Sequence, residues 1–137
     1  MRVFVAGASG AIGARLVPQL VQNGHDVIGT SRTPDKGNRV AELGAQPVAL
    51  DLLDPAAVLE AVAAAEPDAI VHQATALAGA IDFRHFDQSF AATNRLRTEG
   101  TDALLAAART PGVPRFVAQS FAGWPYARTG GPVKTEE

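Results

Sequence analysis

The chain contains no cysteine. That absence excludes a disulfide framework, a zinc–thiolate site, an iron–sulfur cluster and thiol catalysis. No stretch approaches the ~18 uninterrupted apolar residues of a membrane span. The apolar run near the start, Val3 to Ala6, falls far short of the core of a signal peptide. Charge of one sign is also missing. Twelve Lys and Arg stand against 14 Asp and Glu, a net charge of −2 that offers no electrostatic footprint for nucleic acid or an anionic membrane. Three histidines, with no close-spaced partners, exclude a metal site of familiar spacing. What is present is a 47% hydrophobic, 19% charged chain of 137 residues, enough for one core and too short for a second domain. These features describe a soluble, cytoplasmic domain.

Short apolar runs alternate with helical patterns. Val3–Ala6 reads as a buried strand, followed from Ala11 by Ile12, Leu16, Val17, Leu20 and Val21 at helical spacing. Pro18 falls inside that helix and predicts a lost hydrogen bond or slight kink, and Asn23-Gly24 predicts its stop. Asp26–Thr30 is a second strand, Val40 and Leu43 belong to a short second helix, and Gln46–Leu50 is a third strand. Asp54-Pro55 has the residues of an N-cap and first helical position. Ala69–Val71 is a fourth strand, Phe86–Arg109 a long helix and Arg115–Ala118 a fifth strand. Apolar strands joined by helices imply a parallel sheet covered on both faces. The expectation is a doubly wound α/β fold of about five strands in order 3-2-1-4-5, cut off after strand five. Residues 1–120 form this domain, and 121–137, rich in Gly and Pro, form a loop or tail.

Directly after strand one stands Gly7-Ala8-Ser9-Gly10-Ala11-Ile12-Gly13. An ordinary glycine-rich turn could produce such spacing, but this one closes a strand, opens a helix and lies in a βαβ unit. That context points to a dinucleotide, whose pyrophosphate meets backbone N–H groups and the positive end of the helix. Gly10 then permits close approach of backbone to phosphate, and Gly13 close packing of helix on strand. About 20 residues further on, dinucleotide sites selective for NAD place a carboxylate that holds the ribose 2′-hydroxyl. Here the stretch is Gly29-Thr30-Ser31-Arg32-Thr33. Ser31 and Arg32 suit a 2′-phosphate, so NADP is expected in preference to NAD.

The sequence resembles the extended short-chain dehydrogenase/reductase superfamily, specifically its NAD(P)-dependent epimerase/dehydratase family. The resemblance is carried by the glycine loop, Asn23–Val27, Asp51–Asp54, Val71–Ala76, Glu99-Gly100-Thr101 and Arg115–Ser120, and runs from residue 1 to about 125. It implies a Rossmann-like fold in which Gly7, Ser9, Gly10, Ala11, Ile12 and Gly13 surround the pyrophosphate. Asp51 and Leu52 then meet the adenine, although Asp51 also suits a solvated strand end. Ala74 and Thr75 line the ribose on the nicotinamide side. Ser120 matches the catalytic serine that hydrogen-bonds the substrate oxygen. The resemblance implies an oxidoreductase or epimerase/dehydratase acting on a hydroxyl or carbonyl group of a small molecule. A homodimer built on the long helix is also implied, and if its second helix is missing an apolar face at Thr101–Arg109 becomes exposed.

Two departures stand out. The family's Asn three residues before the Gly-Thr pair is Arg97 here, with Asn94 one helical turn earlier. The family's Tyr-x-x-x-Lys pair is absent, because the sole tyrosine, Tyr126, is followed four residues on by Gly130, and Lys134 lies too far along. These 137 residues alone are therefore expected to turn over no substrate. A non-catalytic dinucleotide sensor on the same fold is the competing reading. His25, His72 and His85 read as structural or solvated residues, and Phe121, Trp124 and Tyr126 either wall the nicotinamide pocket or pack the loop.

Overall fold

The computed structural model describes residues 1–77, 83–109 and 112–120, apart from the side chains of Phe83 and Phe86. Residues 121–137, read above as a loop or tail and including Phe121, Trp124, Tyr126 and Lys134, lie outside the described residues. Among the described residues five strands and four helices alternate: β1 (Arg2–Ala6), α1 (Gly13–Gln22), β2 (Asp26–Ser31), α2 (Pro34–Glu42), β3 (Gln46–Ala49), α3 (Pro55–Ala65), β4 (Ala69–His72), α4 (Phe86–Arg109) and β5 (Phe116–Ala118). A single 3₁₀ turn, Phe83–His85, leads into α4. The strands form one parallel sheet in the order β3-β2-β1-β4-β5. This is the Rossmann-like, doubly wound arrangement.

Alternation along β1 explains why its run is apolar throughout. Successive side chains point to opposite faces of a sheet, and here both faces are covered. Phe4 and Ala6, with Ile70 of β4, pack beneath Val58 and Val62 of α3 and Leu96 and Leu104 of α4. Val3 and Val5 join Val27 on the other face, against Val17 of α1 and Val40 of α2. Phe4 and Val5 are wholly buried. Pro47 is tolerated in β3 because that strand lies at the sheet edge.

Local signals set several boundaries. Asp54 Oδ1 accepts the N–H groups of Ala56 and Ala57, each at 3.1 Å, with Pro55 in the first turn behind it. Pro18 leaves α1 continuous from Gly13 to Gln22, and the bond it forfeits is the one to the Ala14 carbonyl. The helix starts two residues later than periodicity predicts. Ile12 occupies the N-cap and is 47% exposed, so it belongs to the turn and not to the apolar stripe. Along Thr101–Arg109, the residues Ala103, Leu104, Ala107 and Ala108 are buried and Leu105 is exposed. Among the described residues no helix is long and apolar enough to cross a membrane.

Candidate functional site: a cleft across the strand ends

The carboxyl ends of β1, β2 and β4 open into a cleft of about 640 Å³, which adjoins a smaller compartment of about 250 Å³ at the end of β5. Gln73, Ala74, Thr75, Arg97 and Gln119 line both, so the two are continuous. A parallel sheet presents its ligand crevice there, where the strand order reverses beside β1.

The glycine loop forms one wall. Gly7 has φ +89°, a conformation side chains rarely adopt, and a Cβ on it would lie 2.7 Å from the backbone of Ala74. Its N–H donates to Thr30 Oγ1 at 3.1 Å, which ties the loop to β2, and Thr30 is buried for that purpose. A Cβ on Gly13 would collide with the carbonyl oxygens of Gly7 and Ala8. Gly10 differs. Its Cβ would meet only the Gly7 oxygen, at 3.2 Å, and the residue is exposed to the cleft with Ala11 and Ile12 while Ser9 is half-buried. Behind the loop α1 begins without a side-chain cap or an acid in its first turn, so its positive end faces the cleft uncompensated.

At the end of β2 the cleft is basic. Arg32, Lys36 and Arg39 line it together with Ser31, and among the described residues no Asp or Glu lines either compartment. Ser31 is buried and donates its hydroxyl to the Thr33 carbonyl at 3.2 Å. Lys36 and Arg39 escape a reading by resemblance. Their signal, two cations three residues apart on the helix that follows Arg32, becomes meaningful only once α2 is placed beside the end of β2. Leu50 and Leu52 line the cleft further along. Asp51 is exposed, and its Oδ1 accepts the N–H of Leu53 at 3.0 Å.

The segment after β4 hangs from two buried polar side chains. Thr93 Oγ1 accepts the N–H of Ala76 at 3.0 Å. His72 bridges β4 and α4: Nε2 lies 3.2 Å from the Leu96 carbonyl and Nδ1 lies 3.4 Å from the N–H of Ala74. Those partners require the neutral tautomer with its proton on Nε2. Burial pushes the imidazole pKa down, the Leu96 carbonyl opposes that by stabilising the charged form, and the Arg97 guanidinium lowers it again. Ala74 and Thr75 are thereby presented to both compartments, beside Gln73, whose Oε1 is buried with no partner among the described residues. Ser120 lines the smaller compartment two residues past β5, with Gln119 beside it. Of the two candidates on α4, Arg97 lines the cleft and Asn94 is exposed outside it.

A glycine turn closes β1, an uncapped helix starts behind it, and a crevice lies over the parallel strand ends. The pattern that defines the NAD dependent epimerase/dehydratase family fits residues 3–130. The chain belongs to that family. It is 45% identical over 137 residues to a 3-diazoavenalumate denitrifying reductase from a Streptomyces species, covering 100% of this chain and 43% of that protein. It is 35% identical over 117 residues to a 2-alkyl-3-oxoalkanoate reductase from Stenotrophomonas maltophilia, covering 85% of this chain and 32% of that one. Among solved structures, a UDP-glucose-4-epimerase from Stenotrophomonas maltophila with bound NAD and formylated UDP-arabinopyranose superposes with a TM-score of 0.69. Its identity is 25%, and the match covers 89% of this chain and 37% of that one. This epimerase/dehydratase-family chain thus spans less than half the length of the curated relatives it matches.

Because His72 is held neutral, the fold should weaken as acid is added. The unfolded chain binds a proton near the usual 6.5, while the folded chain resists it to lower pH. Stability therefore rises with pH across that window and is lost as pH falls through the folded pKa. Thermal unfolding followed from pH 7.5 to 5 should show a falling midpoint in the parent protein and a flatter profile in His72→Gln. The variant should also lose about 1–3 kcal/mol at pH 7.5 from the abandoned Leu96 and Ala74 bonds. Parallel profiles would assign the acid loss to other groups.

Proposed function

We propose that this chain is the cofactor-binding part of an NADP-preferring reductase, which adds a hydride to a carbonyl-type carbon of a small substrate. The observation that carries the cofactor assignment is the basic end of the cleft: Arg32, Lys36 and Arg39 line it, and no carboxylate among the described residues does. A 2′-phosphate would find charge-assisted partners there, whereas a bare 2′-hydroxyl would find no acceptor of the kind that NAD-selective sites provide. The wider cleft fits the rest of a dinucleotide. The pyrophosphate belongs at Gly10 and the amino end of α1, with the adenine against Leu52 and the Asp51 turn. The nicotinamide ribose lies against Ala74 and Thr75. Two curated relatives are named as reductases, and the substrate in each name, an avenalumate and an alkanoate, is a carboxylate.

When bound, the nicotinamide supplies or accepts the hydride. The chain's own residues do the positioning. Ser120, lining the smaller compartment, donates a hydrogen bond from its hydroxyl to the substrate oxygen as charge develops on it. His72 and Thr93 hold the post-β4 segment so that Ala74 and Thr75 form a fixed wall. Calorimetry tests the cofactor assignment. NADP should bind on the order of tenfold or more tighter than NAD, because one charge-assisted bond contributes roughly 1.5–3 kcal/mol. Arg32→Ala should remove most of that margin, and Arg32→Ala with Lys36→Ala and Arg39→Ala all of it. Equal affinities in the parent, or a preference for NAD, would overturn it.

A further inference from the structure

Arg97 has no counterion among the described residues and borders both compartments of the cleft. Its backbone is fixed from three sides. The Leu96 carbonyl is bound to His72, the Arg97 carbonyl accepts the Thr101 hydroxyl at 2.7 Å, and Gly100 lies buried against Leu52 one turn on. The guanidinium is half-buried, borders both compartments and makes no hydrogen bond or ion pair among the described residues. Two residues earlier on the same helix, Arg95 has a bidentate partner in Glu99, both contacts at 2.8 Å, on the exposed face. The helix therefore pairs the arginine that faces water and leaves unpaired the one that faces the cleft.

Among the described residues that line the smaller compartment, Arg97 is the one cation: His72 is neutral and the others carry no charge. A partly desolvated guanidinium favours an anion, best a planar carboxylate that accepts two parallel N–H bonds. The compartment's 250 Å³ is below the roughly 300–1,000 Å³ of a site for a whole drug-sized ligand, so it suits one end of a substrate. The cofactor's phosphates have their own partners at the glycine loop and the basic end of the cleft.

We infer that Arg97 is a specificity-determining residue of the substrate compartment, and that it selects substrates carrying a carboxylate within reach of the group held by Ser120. This rests on the reading of the larger cleft as the dinucleotide site, and the experiment separates the two. NADP is titrated first into the protein and into Arg97→Gln and Arg97→Lys. Benzoate and benzamide, a planar acid and its neutral isostere, are then titrated into each NADP-saturated protein. In the parent, benzoate should bind at least tenfold tighter than benzamide. Arg97→Gln should erase that preference, with NADP and benzamide affinities unchanged within twofold, and Arg97→Lys should keep part of it. Equal binding of acid and amide by the parent, or no binding of benzoate, overturns the inference. A fall in NADP affinity in Arg97→Gln as large as the fall for benzoate also overturns it, by placing the guanidinium on the cofactor's phosphates. Failure of the parent to bind NADP at all overturns the dinucleotide reading on which it rests.

Discussion

Gly10→Val is expected to abolish dinucleotide binding while the protein stays folded. A side chain at this position meets only the Gly7 carbonyl oxygen, 3.2 Å from the first added carbon, and otherwise projects into the cleft. The neighbouring backbone needs to yield only a few tenths of an ångström, so the unfolding midpoint is expected to move by no more than a few degrees. The cleft cannot yield in the same way. The space claimed by the valine is where phosphate oxygens must approach the backbone and the amino end of α1. A loss on the order of 100-fold or more in NADP affinity is expected by calorimetry. Unchanged affinity in a folded variant would show that the loop is a turn and nothing more.

Gly13→Val, three residues along the same loop, should instead strongly destabilise the fold. There the added carbon meets backbone on every side: the oxygens of Gly7 and Ala8, and the Ala8 carbonyl carbon at 2.7 Å. None of these is the far end of a flexible side chain. Relief requires α1 to move off β1, and that move would also disturb the contact of Val17 with Val3 and Val5. Overpacking of this kind costs about 3 kcal/mol or more, a large share of the roughly 5–15 kcal/mol that holds a domain together. Denaturant titration should show the loss directly, and a variant within 1 kcal/mol of the parent would contradict the close packing of helix on strand. The pair of substitutions separates two reasons for glycine that a motif cannot distinguish.

Much of the architecture was legible in the amino-acid order because the responsible forces are local. Val3–Ala6, Ala69–Val71 and the helix Phe86–Arg109 follow from apolar periodicity, and Asp54-Pro55 announces its helix through capping chemistry within four residues. The sheet order followed as well, since parallel strands joined by helices admit few arrangements. The start of α1 was less legible. Ile12 fits the helical stripe by spacing, yet Gly7–Ile12 must turn the chain around the end of β1, and the helix waits until Gly13.

The sequence by itself determined the doubly wound fold, the glycine loop and the absence of a carboxylate at the end of β2, because each is written in neighbouring residues. Only the tertiary structure decided which side chains share the cleft. Lys36 and Arg39 are ordinary surface cations until the packing of α2 brings them beside Arg32. Asn94 and Arg97 lie one turn apart on the same helix, and spacing cannot choose between them. The choice was made by the seating of α4 on β4 through His72 and Leu96, which turns Arg97 inward and leaves Asn94 in water. The His72–Leu96 contact joins residues 24 apart, and no local propensity encodes it.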